Sequence, residues 1–209
     1  MTSAAGHRRH LPGDLLRQAS GRLQIVALVG VAMWLIGPVL GHLALHVTSP
    51  ANPQWSHFMR IDVIALASLA ASLALFIYLQ RGDRAPEFVI DLGLAYMVGA
   101  AFAIGVLLHW GKPVDKALDV HPMITWTGPL ILMFAAIVPA APWKMLAAGF
   151  LAASMDPLGM VLWRAAGVIE FGPVSNVLVM HYPTYLLLGI AVVVSHVVTG
   201  LGKQVTKER

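Results

Sequence analysis

Met145-Leu-Ala-Ala-Gly-Phe-Leu-Ala-Ala-Ser-Met-Asp-Pro-Leu-Gly-Met-Val-Leu-Trp163 decides the reading of this chain. It is long enough to cross a hydrocarbon core, which takes about 20 residues of helix. Yet Asp156 and Pro157 lie near its middle. A carboxylate at the centre of a membrane helix costs about 2.5–3.5 kcal/mol on insertion scales. A proline inside a helix removes a backbone donor and displaces the carbonyl four residues back, here that of Ala153. Two unfavourable neighbours point to architecture or to function. Asp156 is thus a proton carrier, a cation or ligand contact, or a buried carboxyl bonded to backbone that Pro157 loosens or to a neighbouring helix.

The rest of the chain agrees with a membrane setting. Its 209 residues are 58% hydrophobic and 11% charged, against about 25% charged in soluble domains. Mean hydropathy is +0.75. The absence of cysteine excludes disulfides and thiolate metal sites. The basic balance reads as orientation and lipid contact, with no nucleic-acid partner implied. Further apolar stretches run over Leu23–His46, Ile61–Gln80, Glu87–Trp110, Met123–Ala141 and Asn176–Leu201. With Met145–Arg164 these predict an all-α polytopic membrane protein of six transmembrane helices. Leu23–His46 is too long for a signal-peptide core and lacks a cleavage site, so it reads as an uncleaved first span. The expected organisation is a basic N-terminal segment over 1–22, a transmembrane domain over 23–201 and a basic tail over 202–209.

Lysine and arginine set the orientation. With the N-terminus inside, ten fall inside: Arg8, Arg9, Arg17, Arg22, Arg81, Arg84, Lys144, Lys203, Lys207 and Arg209. Four fall outside: Arg60, Lys112, Lys116 and Arg164. The positive-inside rule places both termini in the cytoplasm of a bacterial inner membrane. Trp55, Trp110, Trp126 and Trp163 then lie near the outer interface and Trp143 near the inner one. Small residues at Gly37/Gly41, Ser68/Ser72, Gly99/Ala103 and Gly149/Ala153 are expected at helix contacts. Pro38, Pro129 and Pro157 are expected to kink three helices.

Other polar groups are candidates. Asp91, a turn inside the third span, is expected to pair at the interface near Arg81 and Arg84. Tyr96 needs a hydroxyl partner if buried. A shared pocket of Asp91, Tyr96 and Asp156 is one arrangement the sequence allows. His42, His46, His57, His109, His121 and His181 gather toward the outer side. The i, i+4 pair His42 and His46 shares a helix face and is where a divalent metal or haem would be sought. No metal or other cofactor is required by any motif. No nucleophile elbow, P-loop or dinucleotide fingerprint is present.

Several stretches together carry a resemblance. They are Asp91-Leu-Gly-Leu-Ala-Tyr96, Ile124-Thr-Trp126, Val138-Pro-Ala-Ala-Pro-Trp-Lys144, Leu146-Ala-Ala-Gly-Phe-Leu-Ala-Ala-Ser-Met-Asp-Pro-Leu158, and Tyr182-Pro-Thr-Tyr-Leu186 running on to Leu201-Gly-Lys-Gln-Val205. Over residues 87 to 209 the chain resembles the multi-span membrane region of some bacterial serine/threonine protein kinases. The first two spans match by pattern alone. The family pattern has an acid where this chain has Met97 and another where it has His109.

The kinase Gly-rich loop, strand lysine, His-Arg-Asp loop and Asp-Phe-Gly motif are absent, so phosphate transfer is not expected here. The resemblance implies the membrane half of a longer kinase, or a free-standing relative. The expected function is a non-catalytic module of sensor type, coupling a membrane or ligand signal to a cytoplasmic partner. Asp156 and Pro157 would be its coupling residues. The alternatives are an accessory subunit of an energy-transducing membrane complex, and a small transporter or membrane enzyme centred on Asp156. Lipids and other membrane or cytoplasmic proteins are the expected partners.

Overall fold

The computed structural model describes residues 13–81, 84–110, 120–167 and 172–207. Arg8, Arg9, Lys112, Lys116 and Arg209, used above for orientation, lie outside these residues, as do the side chains of Arg17, Trp110, Lys203 and Lys207. The described chain is all helical: α1 Gly13–Thr48, α2 Arg60–Gln80, α3 Pro86–Trp110, α4 Thr127–Ile137, α5 Pro142–Ala165 and α6 Val174–Lys207. A 3₁₀ turn, Pro53–Ser56, lies between α1 and α2. Five segments are long and apolar enough to cross a membrane, and α4 is shorter. This is the architecture of a helical, multi-pass membrane protein.

Contacts fix the course of the helices. Gln24 Nε2 donates to the carbonyl of Leu79 (3.1 Å) and His42 meets Asp62, so α1 and α2 run antiparallel. Gly105 abuts Met155 and Asp156, and Asp91 pairs with Lys144, so α3 and α5 run parallel. Ser154 meets the Tyr185 hydroxyl at 3.0 Å, and the Ser195 hydroxyl donates to the carbonyl of Ala140 at 2.7 Å. These set α6 antiparallel to α5. The end holding the α1–α2 connection is the upper end below. The core runs from Leu23 and Val26 of α1 through Ile90 and Met97 of α3 to Phe134 of α4 and Met145 of α5.

The sequence predicts a fourth span over Met123–Ala141, but the helix covers only Thr127–Ile137. Prolines explain both ends. Pro129, the third residue of α4, would clash with the carbonyl of residue 125 if the helix began earlier. Pro139 drives the residue before it out of helical geometry, and Val138 sits at φ −90°, ψ 118°. Pro129 therefore starts a helix and does not kink one. The prolines inside helices are Pro38, Pro157 and Pro183, the last one missed from sequence. At the lower end, Arg22 Nη1 donates to the carbonyl of Ile137 (3.4 Å), placing a cation on the α4 C-terminus. Residues 120–126 are largely non-helical. The Met123 N–H donates to the carbonyl of Met180 at 3.0 Å. Such backbone is tolerated at membrane depth where it is buried in protein or lines a cavity.

Helices in lipid gain little from apolar burial, so close backbone approach matters more. One such approach joins α3 and α5. A Cβ on Gly105 would lie 2.6 Å from the carbonyl oxygen of Met155, and one on Gly159 would lie 2.7 Å from that of Gly105. Backbone cannot rotate aside, so only glycine fits. Of the small-residue pairs expected at contacts, Gly37, Gly41 and Gly99 face open space. Gly149 does abut Leu188, and Ser72 bonds the hydroxyl of Tyr96 at 2.6 Å.

Candidate functional site

The α3–α5 glycine contact delivers Asp156 to a neighbour on each side. Its Oδ1 is bonded to Nε2 of His109, in the last turn of α3, at 2.7 Å. Its Oδ2 lies 3.6 Å from Nδ1 of His181 on α6. The two imidazoles meet edge to face, with centroids 6.3 Å apart. All three residues are at most 3% exposed. One potential ligand atom from each lies within 4.8 Å of the others, and no other such group of three occurs among the described residues.

Two helices bring their polar residue to the site just ahead of an internal proline. Asp156 precedes Pro157 and His181 lies two before Pro183. The third wall is the non-helical segment before α4. Met123, Ile124, Thr125 and Trp126 line a cavity of about 250 Å³ together with Leu108, His109 and Asp156. The N-terminus of α4 follows directly, and the positive end of a helix dipole favours nearby negative charge.

The cluster is not internally satisfied. His109 Nδ1 and the hydroxyls of Thr127 and Thr184 are buried without a hydrogen-bond partner among the described residues, and the Thr125 hydroxyl stands beside the Asp156 carboxylate. Each such atom costs about 1–3 kcal/mol, and native proteins pair nearly all of them.

The other candidates separate. Asp91 pairs with Lys144 from α5, not with Arg81 or Arg84; the Arg84 guanidinium instead lies over the Tyr78 ring, 4.6 Å from its centroid. Tyr96 bonds Ser72. Asp91, Tyr96 and Asp156 therefore do not share a pocket. Of the two partners expected for a buried Asp156, loosened backbone or a neighbouring helix, the structure has the second, His109 of α3. His42 and His46 share a face but not a ligand. The two nitrogens of His42 face the Trp55 carbonyl (2.8 Å) and the Asp62 carboxylate (3.1 Å), and the ring of His46 lies against that of Trp55, centroids 4.2 Å apart.

Sequence reading grouped His109 and His181 with the outer histidines but joined neither to Asp156. One signal was present. Asp156 lies nine residues before the end of α5 and His181 seven after the start of α6. Antiparallel neighbours then place them at similar depth. No protein-family model, curated protein or solved structure matches the chain.

Proposed function

We propose that this chain is a six-helix inner-membrane signalling module, with both termini cytoplasmic, that couples an event at the His109–Asp156–His181 cluster to a cytoplasmic partner. One observation carries the reading. The buried cluster joins three helices, and one of them, α6, runs on as a single helix to Lys207. A displacement of His181 is therefore passed along one continuous helix toward the basic tail. Shifts of about 1–2 Å are ordinary currency for such switches. The resemblance to kinase-associated membrane regions supports the same direction of output.

The chain has no cysteine, so a label pair at Gln204→Cys and Trp143→Cys reports how α6 sits against α5. In lipid nanodiscs, Asp156→Asn or Pro157→Ala is expected to shift that distance by about 1–2 Å. A distance unmoved by both substitutions overturns the proposal.

A second reading, an accessory subunit of a larger membrane complex, draws on α1. Met33, Ile36, Val39, Leu40 and Leu43 present an exposed apolar surface along its upper half. Copurification of a stoichiometric membrane partner in mild detergent would favour it.

A further inference from the structure

The proposal above leaves the ligand open, and the inference here rests on that reading. We infer that His109, Asp156 and His181 bind one divalent first-row transition metal ion of the zinc class.

Geometry is the first argument. A tetrahedral Zn²⁺ with bonds of about 2.0–2.1 Å holds its ligand atoms about 3.3 Å apart. The two histidine–carboxylate pairs here, on different oxygens of Asp156, are at 2.7 and 3.6 Å, and one ligand atom from each residue lies within 4.8 Å of the others. A short inward movement of the His181 ring, carried by α6, closes the site. Chemistry is the second. Two imidazoles and a carboxylate form a nitrogen and oxygen set suited to Zn²⁺ and its neighbours, and the chain has no thiolate to divert the choice.

Idle capacity is the third. A simple ion pair needs one histidine, which His109 supplies through Oδ1. The second carboxylate oxygen is not taken up by that pair, and a second imidazole is aimed at it from another helix. A cation between them would use that oxygen and offset the buried charge. Three protein ligands leave a fourth position, as in zinc sites that exchange a ligand. Here it would open on the cavity beside Thr125 and Met123. Binding would draw α6 toward the α3–α5 pair, which is the displacement that the signalling reading requires.

The test uses the full chain in nanodiscs, stripped with chelator and titrated with Zn²⁺, with Co²⁺ as the spectroscopic probe. The expected result is one metal per chain, with Co²⁺ absorption in the range of four- or five-coordinate nitrogen and oxygen sites. Affinity is expected to fall at least about tenfold in Asp156→Asn and in His109→Gln, because removing even an outer-sphere partner costs that much. His42→Ala should leave it unchanged. Helical circular dichroism identifies any variant that has not folded, and His109→Gln, close in size, serves if Asp156→Asn fails.

No stoichiometric metal on folded wild-type chain overturns the inference, as does binding that survives both substitutions or disappears with His42→Ala. The two proposals separate on the same sample. Bound Zn²⁺ with an unmoved Gln204–Trp143 distance removes the signalling reading and keeps the metal. A distance that answers Asp156→Asn in a chain that binds no Zn²⁺ does the reverse.

Discussion

Two histidine–carboxylate pairs join neighbouring helices in the upper half of this bundle, and they are built to different ends. In the α1–α2 pair every polar atom is employed. His42 faces the Trp55 carbonyl and Asp62, and Asp62 also accepts the Met59 N–H at 2.6 Å in a capping box that opens α2. In the α3–α5–α6 cluster the geometry is as close, the burial is deeper, and atoms are left over. The first arrangement is complete as it stands and holds a helix start and a turn in place. The second leaves buried polar atoms without a partner among the described residues. Histidine beside aspartate does not itself distinguish a brace from a site; the unspent donors and acceptors do.

The largest effect expected from this contrast is on stability. Asp156→Ala should cost about 3 kcal/mol, because breaking a buried pair strands its partner. Asp62→Ala should cost about 1 kcal/mol, the worth of a helix cap. Unfolding in mixed micelles measures both, and equal costs would erase the distinction. Next comes the metal. At a hundredfold excess over its dissociation constant, Zn²⁺ should stabilise wild type by about 2.7 kcal/mol. Asp156→Asn should lose that gain and Asp62→Asn should keep it, read from melting curves with and without chelator.

The glycine contact beneath the cluster provides a third test. Gly105→Ala drives a methyl into backbone and should cost about 1–3 kcal/mol. Gly99→Ala meets open space and should be nearly neutral, within about 0.5 kcal/mol. The smallest effect belongs to the lower end. Lys144→Ala removes a partly exposed ion pair with Asp91 and should cost less than about 1 kcal/mol.

Legibility in the sequence followed the kind of signal. Apolar length is local, so the helices were readable, and Pro86 and Pro142 mark two of their starts. The shortness of α4 was encoded in Pro129 and Pro139, but a hydropathy run passes over both. The small-residue pairs misled at Gly37, Gly41 and Gly99, because spacing gives a face and not what lies opposite it. Asp156 stood out because a charge in an apolar run is itself a signal. Its partners did not, since His109 and His181 lie 47 and 25 positions away and only helix register brings them together. His109 looked like a departure from a family pattern; in the folded chain it is the group that answers Asp156.

The contact between Gly105 and Gly159 has a mechanical consequence. Two helices touching backbone to backbone have no side-chain cushion between them, so they act as a stator. Met145, Ala152 and Ala153 of α5 are fully buried. Under the proposed coupling, a change at the cluster would fall on α6, because α3 and α5 are already at backbone contact. Pro183 removes one backbone hydrogen bond two residues past His181, so under the proposed coupling α6 would bend close to the cluster. A small stroke at the histidine would then become a larger one at the far end of the helix.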